Sequence, residues 1–139
     1  MAAALGVRFA LPADATPGRD LVVHASASSD GLRLALGLLG FEGTVLELSW
    51  YGTRSVSLDL GGSFHSGRST IRASQVGTIA PSRRSTRTHA DRLAVALDLL
   101  RDPVFDALRT GTSPFEELPK LMRTGSLSAL SHVITYGEE

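Results

Sequence analysis

Between Asp20 and Gly77 two short apolar runs flank a segment with helical periodicity, and a third run follows a glycine-rich crossover. That order restricts the chain to a parallel sheet, because parallel neighbours need a crossover long enough to hold a helix. Leu21, Val22 and Val23 are apolar without alternation, as in a strand covered on both faces. Ser28 or Ser29 can cap the next segment, where Leu32, Ala35, Leu36 and Leu39 recur at helical spacing until Gly40 and Gly43 stop it. Thr44 to Ser49 then has the β-branched and apolar content of a second buried strand.

The flanking segments are less regular. Met1 to Leu5 reads as a helical turn closed by Gly6, and Val7 to Leu11 as a short strand ended by Pro12. Val56, Leu58 and Leu60 alternate with Ser57 and Asp59, the period of a half-exposed edge strand. Thr70 to Val76 is another strand candidate. Thr88 and Asp91 form a capping-box pattern ahead of Leu93, Ala96, Leu97 and Leu100, with Pro103 as the stop. Ser113, Pro114 and Glu116 signal a further helix start, Pro119 limits that helix to its first turns, and Gly125 closes it. His132 to Tyr136 is the last strand candidate.

At 139 residues and 42% hydrophobic, the chain suffices for one compact domain. Fourteen basic residues balance fourteen acidic ones, so no global field favours nucleic acid or an anionic membrane. The absence of cysteine removes disulfides, thiolate zinc ligands and a cysteine nucleophile together, and fits a reducing compartment. No apolar stretch approaches the roughly 20 residues of a membrane-spanning helix, and a cytoplasmic location is expected.

Few residue patterns announce chemistry. His24, His65, His89 and His132 are dispersed without metal-ligand spacing, so zinc is not expected. Arg83, Arg84 and Arg87 lie in a polar segment before a helix and read as a solvated loop. Ser, His and Asp are all present, but no G-x-S-x-G elbow and no spacing singles out a nucleophile, so a serine hydrolase is not expected. Taken alone, Ser26 and Ser49 are turn and cap formers, and Trp50 and Tyr51 close the end of a core.

The runs GFEGTVLELSWYG (40–52), LGGSFHSGRSTIRASQVG (60–77), SPFEELPKLM (113–122) and HVITY (132–136), in this order, resemble the C-terminal part of a medium-chain, zinc-type alcohol dehydrogenase. The resemblance implies an α/β fold: a partial Rossmann-like parallel sheet made of strands 3, 4, 5 and 6 of the nucleotide domain, at Val7–Leu11, Leu21–Ala25, Thr44–Ser49 and Thr70–Gln75. A short C-terminal return segment follows. Residues 1–109 then correspond to a truncated dinucleotide-binding domain and 110–139 to the return segment of the catalytic domain.

The resemblance further implies an NAD(P)-dependent oxidoreductase whose cofactor passes the carboxyl ends of the strands. Carried over by position, the cofactor-contacting residues are Ala25, Ser26 and Ala27 after one strand, Ser49, Trp50 and Tyr51 after the next, and Ala73, Ser74 and Gln75 after the third. The glycine-rich phosphate turn and the zinc ligands have no counterpart in this sequence. Weak or absent NAD or NADP binding and no self-sufficient zinc-dependent catalysis are therefore expected. The alternative is a non-catalytic remnant or interaction module that self-associates or pairs with a companion chain through open strand edges.

Overall fold

The computed structural model describes residues 1–125 and 129–137. The chain divides into two compact units, Ala10–Ala80 and a second made of Met1–Phe9 with Pro81–Glu139.

The first unit is a three-stranded parallel sheet of β1 (Arg19–His24), β2 (Leu39–Glu47) and β3 (Thr70–Ala73), in spatial order β1-β2-β3. The segment beginning at Thr44 is thus the centre of the sheet, as the sequence pattern requires. Helix α1 (Ser29–Gly37) makes the crossover from β1 to β2. Ser28 caps it, its hydroxyl oxygen accepting from the Gly31 amide at 3.0 Å. Leu32 and Ala35 on α1 bury against Val45 of β2, which is 0% exposed. Val22, Leu36, Leu39, Tyr51, Val56 and Leu58 pack around these three.

Several boundaries differ from the sequence expectation. Val7–Leu11 is not a strand: the division between the two units falls inside it, and no ladder partner meets it among the described residues. The family's third strand therefore has no counterpart there. Val56–Leu60 is not an edge strand either; its alternation turns Val56 and Leu58 onto the core without backbone pairing. Leu39, which matches the helical period, belongs to β2, and α1 ends two residues before it. A one-turn helix α2 (Ser63–Ser66) precedes β3, and that strand stops at Ala73 rather than running to Val76.

In the second unit, Thr88 and Asp91 form a complete capping box on α3 (His89–Leu99), and the hydrogen bonds from Thr88 hold the Asp91 carboxyl below its usual range. Strand β4 (Arg109–Pro114) pairs in parallel with β5 (Ser131–Thr135). Ser113 and Pro114 thus lie in a strand, because pairing with Ile134 and Thr135 overrides their helix-start signal. A 3-10 turn over Phe115–Glu117 leads into α4 (Leu118–Thr124), whose first turn contains Pro119 and whose end is the left-handed Gly125. Phe115 stacks on Tyr136 with ring centroids 5.0 Å apart.

Candidate functional site

Parallel pairing places His24 opposite Glu47, each near the carboxyl end of its strand. Both side chains project on the α1 side, the face that Val22 and Val45 occupy two residues earlier. His24 is 5% exposed and Glu47 11%. His24 Nδ1 lies 2.8 Å from Glu47 Oε2, and His24 Nε2 lies 2.7 Å from the Ser26 hydroxyl oxygen. An ionised carboxylate only accepts, so in the neutral ring Nδ1 carries the proton and Nε2 accepts from Ser26 O–H. The Ser26 oxygen can then accept from the Ser28 hydroxyl, 2.9 Å away.

Glu47 is held from three sides. Its Oε1 accepts from the Ser49 amide at 2.7 Å, and its Oε2 accepts from the Tyr51 hydroxyl at 3.1 Å as well as from His24. Burial by itself raises the Glu47 carboxyl, but the hydrogen bonds from Ser49, His24 and Tyr51 outweigh it and leave the group below its ordinary value. Burial, then the bond to Glu47, pushes the Tyr51 phenol up. No buried polar side-chain atom lacks a partner among the described residues.

The loop after β1 is tied to the loop after β2. The Ala27 amide donates to Ser49 Oγ at 3.0 Å, and Arg54 Nη2 donates to the Ala27 carbonyl at 3.2 Å. Ala27 adopts φ +50°, a conformation uncommon for a residue with a Cβ and here held by those two bonds. An open groove of about 290 Å³ lies alongside, bounded by Ala27, Ser28 and Ser29 on one wall and Tyr51, Arg54 and Val56 on the other. A second concavity of about 350 Å³ lies at the opposite end of β2, against Gly40 and Phe41.

Of the nine residues expected at a cofactor site, the structure links Ser26, Ala27, Ser49 and Tyr51 through one hydrogen-bond network. Ala25 lies between two members of it and is exposed. Ala73 pairs with Glu47 in the ladder, and the Ser74 amide donates to the Glu47 carbonyl at 2.9 Å, so both flank the end of β2. Gln75 is exposed in the following turn. Trp50 is 88% exposed and closes no core; Tyr51 alone does so. The sequence pattern gives Ser28 only a capping role and His24 no part in a site, and it does not single out Glu47 or Arg54. The available signal was positional: a histidine and a glutamate each end an apolar run in consecutive parallel strands.

The residues present do not fit a catalytic zinc. The chain has no cysteine, and no group of three or more His, Asp or Glu side chains is arranged to hold a metal ion among the described residues. No helix among the described residues is long and apolar enough to cross a membrane.

No protein-family model matches the chain, and no curated protein matches it in sequence. Its fold does match solved structures. Benzyl alcohol dehydrogenase from Acinetobacter calcoaceticus superposes with TM-score 0.57 at 18% identity, over 87% of this chain and 32% of its own. An alcohol dehydrogenase from Thermus sp. ATN1 gives TM-score 0.59 at 20% identity over 87% and 32%. An alcohol dehydrogenase zinc-binding domain protein from Burkholderia ambifaria gives 0.55 at 21% identity over 87% and 31%. The chain therefore spans about a third of the length of the dehydrogenases it resembles. Its fold is a partial, Rossmann-like α/β arrangement of the kind found in zinc-type medium-chain alcohol dehydrogenases. At the level of fold, the chain is dehydrogenase-like.

Proposed function

We propose that this chain supplies part of the nucleotide-binding region of an NAD(P)-dependent alcohol dehydrogenase-like oxidoreductase, acting in the cytoplasm and not catalytically self-sufficient. One observation carries the reading: the polar groove opens at the carboxyl ends of β1 and β2, beside the amino end of α1, the place where open α/β sheets take ligands. Ser28, Ser29 and Ser55 offer hydroxyls, Asp30 a carboxylate for ribose hydroxyls, Arg54 a cation, and the first-turn amides of α1 offer donors, a set suited to a ribose and its phosphate. Bound there, NAD(P) would supply the hydride carrier; the chain's own residues would bind and orient it. On this reading residues 1–109 act as the nucleotide part and 110–139 as the return segment.

Titration of the purified chain with NADH and with NADPH, followed by cofactor fluorescence and calorimetry, tests the proposal. Saturable binding weakened about tenfold or more by Arg54→Ala supports it, a loss of roughly 1.4 kcal/mol. Absence of binding to either nucleotide at millimolar concentration overturns it.

A second reading is favoured by the free edge of β1. Its only strand neighbour among the described residues is β2, and Leu21 and Val23, on the face away from α1, are exposed. Open edges and apolar faces of this kind pair with a second copy or a companion chain. Sedimentation over a wide concentration range separates this module from a strict monomer.

A further inference from the structure

We propose that Ser26, His24 and Glu47 constitute an acyl-accepting site, with Ser26 as the nucleophile, His24 as its general base and Glu47 as the residue that orients the imidazole. This activity lies beyond the nucleotide-binding reading and does not depend on it. The three side chains form a continuous hydrogen-bonded series, Ser26 Oγ to His24 Nε2 at 2.7 Å and His24 Nδ1 to Glu47 Oε2 at 2.8 Å. Their order and spacing are those that make a serine hydroxyl nucleophilic: a base in contact with the hydroxyl and a buried carboxylate fixing the base's tautomer.

The accessibility follows the same sequence. Ser26 is exposed, His24 is buried and Glu47 is nearly so, so a substrate can meet the hydroxyl while water is kept from the histidine–carboxylate contact. Glu47 receives hydrogen bonds from Ser49 and Tyr51 in addition to His24, and this satisfies a buried anion that would otherwise be costly.

An acyl site also needs donors for the developing oxyanion. The first turn of α1 lies against Ser26, since a Cβ on Gly31 would collide with Ser26 Oγ and would lie 2.8 Å from His24 Nε2 and from Ser28 Oγ. Of the amides opening this nine-residue helix, those of Gly31 and Leu32 are bonded to Ser28, whereas those of Ser29 and Asp30 have no acceptor among the described residues. The groove of about 290 Å³ begins at the next residues in the chain, Ala27 to Asp30.

The substrate class is a small carboxylic ester with a good leaving group, such as an aryl ester. Ser26 Oγ attacks the carbonyl carbon as its proton passes to His24 Nε2. The new Oγ–C bond forms, and the C–O bond to the leaving group breaks as His24 returns the proton to the departing oxygen. Water then attacks the acyl carbon as His24 takes its proton; the acyl C–Oγ bond breaks as His24 gives that proton to Ser26 Oγ, releasing the acid and restoring the hydroxyl.

The test uses the full chain with a fluorophosphonate probe and with p-nitrophenyl acetate. Mass spectrometry is expected to locate one phosphonyl adduct on Ser26 in the folded protein and none after denaturation. Ester turnover should be lost in Ser26→Ala, whose side chain is exposed and whose melting temperature should report an intact fold. Glu47→Gln, assayed below its melting temperature, should slow phosphonylation at least about tenfold, since it removes the orienting anion. A purely structural network predicts otherwise: no adduct on Ser26, or labelling at the same rate in Glu47→Gln and in denatured protein. Any of those results overturns the proposal.

Discussion

His24 and Glu47 sit opposite one another in the β1–β2 ladder, and the 2.8 Å contact between their side chains is a consequence of strand register. The pair is fixed by backbone hydrogen bonds before any side-chain attraction acts on it. It lies two pairs beyond Val22 and Val45, so the core and the polar network share one face of β2.

Acid should weaken the Ala10–Ala80 unit. The Glu47 carboxyl titrates below its ordinary value of about 4.5 when folded, so it adds stability that is fully present above that value and is lost as pH falls through the lower folded one. Thermal melts between pH 7 and 3 should show this loss, and Glu47→Gln should be less stable at neutral pH with a shallower acid dependence.

Gly31→Ala should destabilise the protein although alanine is the better helix former. The added methyl meets Ser26, His24 and Ser28 at once, and the expected cost is about 1–3 kcal/mol. Urea unfolding measures it; a gain in stability would show that the first turn of α1 does not press on the network.

Val45→Ala should be among the most damaging truncations, at about 2–3 kcal/mol, since Val45 is fully buried and surrounded by α1 and its own sheet. Leu58→Lys should also cost stability, about 1–3 kcal/mol, because Leu58 packs on that core. Equilibrium unfolding of the two variants checks both values.

On the reading in which β1 meets a second copy of the chain, Val23→Lys should reduce that association with little loss of stability. Val23 is exposed on the sheet face away from α1, whereas its neighbour Val22 packs inward. Sedimentation velocity at several concentrations is the measurement, and unchanged association in the variant would move the contact elsewhere.

The sheet was legible in the sequence because continuous apolar runs, a capped helix and glycine breaks all agree on one strand-helix-strand order. The Thr88 capping box and the Gly125 stop were legible for a similar reason, each being a local hydrogen-bond or φ requirement. Val56–Leu60 misled because alternation reports which side chains are buried, not whether the backbone is paired. Ser113 and Pro114 carry a true local start signal that a distant strand, Ser131–Thr135, overrides. Ser26, Ala27, Ser49 and Tyr51 were reached through the family resemblance, since small residues at strand ends read by themselves as turn and cap formers. His24 and Glu47 could not be joined without the register, because 23 residues separate them and only the ladder brings them together.

That register contains one irregularity with a disproportionate effect. Arg19 pairs with Leu39 but Leu21 pairs with Thr44, so five steps along β2 answer two along β1. β2 therefore carries three residues more than β1 across this step, and Leu39 and Val45, six residues apart, both still pack on the α1 side. The Gly40–Gly43 stretch, with Glu42 at φ +58° bonded through its amide to the Gly67 carbonyl, takes up the excess and works as a spacer. Its length sets the offset between the two strands, which is what brings Val45 opposite Val22 and Glu47 opposite His24.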